Sequence, residues 1–93
     1  MARDKLPALA RRIGVRLKAR GLKLATAESC TGGWIAQAVT SVPGSSEWFD
    51  RGFVTYSNES KKELLGVRAG TLSRHGAVSP EAAKEMAAGA LAR

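Results

Sequence analysis

The sequence predicts an α/β fold, and three observations carry that prediction. Two short apolar runs, 22–27 and 52–56, have the length and composition of buried strands. The stretches around them carry apolar residues at helical spacing, and Gly21, Gly66 and Gly76 mark where helices stop. Between the first run and the next helix lies Thr26-Ala27-Glu28-Ser29-Cys30-Thr31-Gly32-Gly33-Trp34, the grammar of a strand, a tight loop and a helix start. Helices alternating with strands define the α/β class.

Leu6, Leu9, Ile13 and Leu17 recur at helical spacing, which predicts a helix over 5–20. Pro7 fits such a helix only in its first turn. The first strand follows over 22–27, then the glycine loop, then a helix over 32–40. Ser41-Val42-Pro43-Gly44-Ser45-Ser46 is loop chemistry. Trp48 and Phe49 are expected to anchor the end of that loop in the core. The second strand spans 52–56. Ser57 or Asn58 then caps a helix running to Leu65, with Gly66 as its stop. Residues 71–75 form a short helical turn. Ser79-Pro80-Glu81 combines a capping hydroxyl, proline at the first helical position and an acid in the first turn, so the last helix starts at Pro80. Two strands rarely make an independently stable sheet, so the chain is expected to be part of a larger domain.

The chain has 93 residues and a formal net charge of +7. No apolar run reaches membrane-spanning length. A single cysteine, Cys30, fits a reducing cytoplasm. Before Glu28 the only acid is Asp4, against Arg3, Lys5, Arg11, Arg12, Arg16, Lys18, Arg20 and Lys23. A basic face can attract nucleic acid or anionic substrates. With few aromatics interleaved for base stacking, a solvated helix face with its acidic complement elsewhere is the preferred reading. One Cys and one His give no zinc signature.

Several residues are candidates for chemistry. The loop Ser29, Cys30, Thr31, Gly32 and Gly33 opens a helix, where unpaired N–H groups and the dipole favour an anion. The alternative is a tight turn with a capping hydroxyl. Lys61 falls one turn into a helix whose positive end disfavours a cation, which makes it a candidate base for a nearby serine. The alternative is a solvated surface lysine. Lys62 points about 100° away, so at most one of the two faces a site. Ser45 and Ser46 lie on a loop that could expose a nucleophile or simply form a turn. Tyr56 ends the second strand, within reach of the same cleft or as a core ring with a wet tip. His75, between Arg74 and Gly76, reads as an exposed helix end.

Taken together, Ala27-Glu28-Ser29-Cys30-Thr31-Gly32-Gly33, Pro43-Gly44-Ser45-Ser46-Glu47-Trp48-Phe49, Gly52-Phe53-Val54-Thr55-Tyr56-Ser57-Asn58, Lys61 and His75-Gly76-Ala77-Val78-Ser79 resemble the CinA C-terminal-domain family. The resemblance runs from Leu6 to the end of the sequence. It implies a three-layer α/β/α domain of which residues 1–93 are the N-terminal portion. The family's later Ser-Gly-Ile-Ala-Gly-Pro type segment and its active-site arginine have no counterpart here. The implied activity is hydrolysis of nicotinamide mononucleotide to nicotinic acid mononucleotide and ammonia, in pyridine-nucleotide recycling. By resemblance, Ser46 is the nucleophile, Lys61 its base and Tyr56 the residue that orients them. Ser29, Cys30, Thr31, Gly32, Gly33 and Ser45 are then substrate-binding, with Ser45 the alternative nucleophile. No metal or cofactor is implied. The expected partners are the small-molecule substrate and further copies of the chain, with no membrane and no nucleic acid. The competing reading is a non-catalytic nucleotide- or nucleic-acid-binding module linked to competence or DNA damage.

Overall fold

The computed structural model describes residues 2–93, with side chains from Lys5 onward, so the side chains of Arg3 and Asp4 lie outside it. The order of elements is α1 (Ala2–Ala19), β1 (Leu24–Glu28), α2 (Trp34–Thr40), a 3-10 turn (Ser45–Glu47), β2 (Phe49–Val54), α3 (Asn58–Leu65), α4 (Ala69–His75) and α5 (Pro80–Ala92). The two strands pair in parallel, from Leu24 opposite Phe49 to Glu28 opposite Val54. Asp50 is the extra residue on β2 where the register shifts, between Leu24 and Ala25.

Helices cover both faces of this small sheet. On one face Ala10, Val39 and Trp48 form a buried cluster, with Leu17, Leu24, Val42 and Phe49 packed around it. On the other, Leu65, Val67, Met86 and Ala90 are buried, with Ala27, Phe53 and Leu72 against them. Period-2 alternation explains the split: neighbours along a strand point to opposite faces. The result is the α/β/α layering that the resemblance implies.

Several boundaries differ from expectation for identifiable reasons. α1 starts at Ala2, so Pro7 lies inside it rather than in its first turn. Its inward stripe is also rotated. Leu9 and Ile13 are exposed, while Ala10 and Gly14 face the core. Gly14 is what allows this. A Cβ built there would lie 2.5 Å from the Trp48 ring, so the indole rests directly on the helix backbone. α2 starts at Trp34 rather than Gly32, because Gly32 (φ 64°) and Gly33 (φ 106°) take left-handed conformations that no helix contains. β2 starts at Phe49 and ends at Val54, since pairing with β1 sets its limits. The helix capped by Ser57 and stopped by Gly66, and the one capped by Ser79, fall where expected. Trp48 is buried, as predicted, at the end of its loop.

α3 and α5 meet at a point with no room for a side chain. A Cβ on Gly89 would lie 1.9 Å from the Leu65 carbonyl oxygen. In an ordinary exposed helix, glycine to alanine gains about 1 kcal/mol. Here Gly89→Ala should instead destabilise by roughly 1–3 kcal/mol, because α5 must move off α3. Urea unfolding midpoints decide the sign, and a stabilised variant would refute this packing.

Candidate active site

In a parallel sheet every strand ends at the same edge, and the crevice beyond those carboxyl ends is where open α/β sheets bind ligands. Here that edge carries two connections. One is the Ser29–Gly33 loop from β1 to α2; the other is Thr55-Tyr56-Ser57 from β2 to α3. The Thr55 N–H donates to the Glu28 carbonyl at 2.9 Å and holds the two together.

Glu28 fixes the first connection. Its side chain is 2% exposed. The Thr31 hydroxyl donates to Oε1 at 2.7 Å, the Ile35 N–H to the same oxygen at 2.8 Å and the Ala36 N–H to Oε2 at 2.9 Å. Burial alone would push this carboxyl up. The N–H groups of Ala36 and Ile35, the Thr31 hydroxyl and the Gly33 N–H outweigh it, and the carboxyl titrates below its ordinary range. The carboxylate therefore sits where the sequence suggested a ligand anion would. The N–H groups of Ile35 and Ala36 at the start of α2 already serve the protein's own Glu28. Among the candidate residues Glu28 was not singled out. The available signal was a lone acid closing an otherwise uncharged strand directly before a helix start.

The rest of the loop faces outward. Ser29 is half-buried, Cys30 and Thr31 are exposed, and all three line an open groove with Ala77, Val78 and Ser79 at the approach to α5. A Cβ on Gly32 would meet nothing within 4 Å, so the loop leaves open space beside its backbone.

Lys61 is not a surface lysine. It is 1% exposed. It shares the inward face of α3 with Leu65, one turn on. Its Nζ donates to the Tyr56 carbonyl oxygen at 3.1 Å. Lys62 points elsewhere and pairs with Glu59. Tyr56 therefore meets Lys61 through its backbone, while its ring is 72% exposed.

The two serines lie elsewhere. Ser45 is buried, and its hydroxyl donates to the Thr40 carbonyl at 3.3 Å, which ties the turn to the end of α2. Ser46 is exposed, and its hydroxyl has no hydrogen-bond partner among the described residues. The turn carrying both is pinned at the opposite edge of the sheet. The Leu24 N–H donates to the Trp48 carbonyl at 2.7 Å, and Lys23 Nζ donates to the Glu47 carbonyl at 2.8 Å. Lys18 pairs with the Glu47 carboxylate, so part of the acidic complement of the basic N-terminal segment lies in this turn. Strand rise of about 3.3 Å per residue puts the Ser46 turn and the Lys61 amine on the order of 20 Å apart. The structure brings Lys61 to the same edge as Ser29, Cys30 and Thr31, and places Ser45 and Ser46 at the other. His75 is exposed at the end of α4, with Nδ1 3.7 Å from a Glu81 carboxylate oxygen. Among the described residues no cluster of three His, Cys, Asp or Glu forms a metal site, and no helix is long and apolar enough to cross a membrane.

Residues 6–93 match the CinA C-terminal domain family. The chain belongs to that family. This CinA C-terminal domain sequence is 56% identical over 91 residues to the nicotinamide-nucleotide amidohydrolase PncC of Escherichia coli strain K12, covering 98% of this chain and 55% of that protein. It is 66% identical over 79 residues to a CinA-like protein of Chloroherpeton thalassium, covering 85% of this chain and 19% of that one. Among solved structures, the competence/damage inducible protein CihA of Agrobacterium tumefaciens superposes with a TM-score of 0.92 at 53% identity, over 96% of this chain and 54% of that one. A CinA superfamily protein of Escherichia coli superposes with a TM-score of 0.93 at 39% identity, over 100% and 54%. The chain thus spans about half the length of the PncC relatives it matches.

Glu28 offers a direct test of how this CinA domain holds its loop. Its folded carboxyl titrates below the unfolded value, so its stabilisation is complete above about pH 4.3 and fades as pH falls through the lower folded value. Glu28→Gln turns an amide toward N–H donors and should cost about 1–3 kcal/mol at neutral pH. The gap to wild type should narrow in acid. Urea unfolding of both proteins across pH 2–7 checks this (a range set by the carboxylate titration), and equal stability at pH 7 would remove Glu28 from the role.

Proposed function

We propose that residues 1–93 are the N-terminal portion of a single amidase domain, which hydrolyses nicotinamide mononucleotide to nicotinic acid mononucleotide and ammonia in cytoplasmic pyridine-nucleotide recycling. The observation that carries this reading is Lys61. A fully buried lysine beside the carboxyl ends of two parallel strands, its amine bonded among the described residues to a backbone carbonyl alone, is rare in a role of pure packing. Amidohydrolase names among relatives that cover 98% of the chain supply the substrate class.

The chemistry needs no metal. In the dyad that the resemblance implies, the Ser46 oxygen attacks the carboxamide carbon while the Lys61 amine takes the hydroxyl proton, a transfer that requires the Ser46 turn to come within hydrogen-bond reach of the Lys61 edge, against their separation within residues 2–93. The tetrahedral intermediate collapses, its C–N bond breaks, and Lys61 returns the proton to the leaving nitrogen, which departs as ammonia. Water then attacks the resulting ester, frees the carboxylate and restores the serine. Ser29, Cys30, Thr31, Gly32 and Gly33 form a wall of the substrate site beside the groove. The substrate's phosphate is met by groups other than the Ile35 and Ala36 N–H, which Glu28 occupies. Tyr56 positions the base through its carbonyl. Ser45 shapes the turn that presents Ser46.

Lys61→Arg and Ser46→Ala should each lower ammonia release from nicotinamide mononucleotide at least about 100-fold in protein that still folds by circular dichroism. Arginine fails because a guanidinium stays protonated. Near-normal turnover in Lys61→Arg would return Lys61 to a packing role. A dead Ser45→Ala beside an active Ser46→Ala would move the nucleophile by one residue.

A further inference from the structure

We infer that Thr55 is a positioning residue for Lys61: its hydroxyl takes the second N–H of the lysine amine and so aims the lone pair. The inference rests on the base role proposed above for Lys61, and its starting point is one unexplained atom. Thr55 is 0% exposed, and its Oγ1 is buried with no hydrogen-bond partner among the described residues. Such a hydroxyl costs stability, because it has given up water and gained nothing in return. Thr26 Oγ1 is in the same state, but it lies mid-strand on the other face, packed against Gly52 under α2. Thr55 stands at the strand-end edge, in the connection that leads into α3.

The hydroxyl and the amine share a layer. The Thr55 N–H continues the ladder to Glu28, so Thr55 points to the same face as Phe53, two residues back. Phe53 packs on that face against the cluster that includes Leu65. Lys61 enters the same layer from α3, one turn before Leu65, and its amine reaches back to the carbonyl of Tyr56, the residue next to Thr55. Enclosure then decides where a partner for the hydroxyl comes from. The described residues already seal Oγ1 from solvent, so a side chain from elsewhere in the protein cannot approach it. An amine inside the same layer reaches it by a small turn of the lysine stem. A neutral amine nitrogen has four directions: its carbon, two N–H bonds and a lone pair. With one N–H held by Tyr56, the other N–H and the lone pair are free to exchange places. A second bond to Thr55 leaves the lone pair a single direction, the one in which it takes the proton. Once protonated, the ammonium has three N–H donors. Tyr56 and Thr55 accept two of them, and the oxygen that gave up the proton accepts the third.

The experiment is steady-state ammonia release from nicotinamide mononucleotide by variants of the protein as encoded, each checked for folding by circular dichroism. Thr55→Val keeps the shape of the side chain and removes the hydroxyl. It should lower kcat about 10- to 100-fold and leave KM within about twofold, since binding is untouched. Thr55→Ser returns the hydroxyl and should bring kcat to within about fivefold of wild type. Full turnover in Thr55→Val beside an inactive Lys61→Arg would overturn the inference and leave the amidase function standing. A Thr55→Ser no better than Thr55→Val would overturn it too, because shape rather than the hydroxyl would then matter. An active Lys61→Arg would instead remove the base, and this inference with it. If Thr55→Val does not fold, Thr55→Ser and Thr55→Ala, which differ by one oxygen, make the same comparison. The contact also has a readout apart from activity. The NMR resonance of the Lys61 amine nitrogen, identified by its loss in Lys61→Arg, should move in Thr55→Val and return in Thr55→Ser; a resonance that ignores the loss of the hydroxyl would overturn the contact.

Discussion

One buried carboxylate sets the geometry on which the candidate site depends. Glu28 closes β1, and its two oxygens hold the start of α2 through Thr31, Ile35 and Ala36. A seven-residue helix has little stability of its own. Tied at its first turn to the end of a strand, it takes a fixed angle. Gly32 and Gly33 can then adopt left-handed conformations without loosening the loop. A charged group so little exposed to water is tolerable only because donors surround it. That dependence makes the carboxylate, the hydroxyl and the two helix N–H groups a single unit.

The same solution appears on the other layer. α4 has no side-chain cap of its own, since Arg68 stands at its N-cap position. Glu85, from α5, accepts from the Arg68 N–H at 2.9 Å and from the Thr71 hydroxyl. In both places a carboxylate from a neighbouring element and a threonine from the first turn or its approach do what a local serine does for α3 and α5. Where capping is local, packing and helix start are independent. Where it is borrowed, as for α2 and α4, the helix is well started only when its neighbour is in place.

This distinction also explains how much was legible in the sequence. Ser57, Gly66, Ser79 and Pro80 gave their helix ends correctly because a local cap needs only its own few residues. In α1, Leu17 packs on the core as the spacing predicts, but Ala10 and Gly14 face inward in place of Leu9 and Ile13, because Gly14 receives a ring from 34 residues further on. The start of α2 was placed two residues early for a related reason. Its true start is set by glycine conformations and by a carboxylate from the strand before it. At the site, the loop 29–33 and Lys61 were found at the edge where an α/β sheet places its chemistry. The separation of Ser46 from Lys61 follows from chain order alone. A turn that precedes a strand and a helix that follows it end up at opposite edges of a parallel sheet. Resemblance matches residues one by one and does not carry that information.

The indole resting on Gly14 bears on the order in which the chain comes together. α1 can form early as a helix, but its docking surface is incomplete until Trp48 arrives, and Trp48 is set by the pairing of β1 with β2. Parallel pairing closes a long loop and is intrinsically slow. α1 therefore cannot complete its packing before the two strands pair. Until then Ala10 and Leu17, which pack around that indole, have no core to cover them on a helix that carries many basic side chains.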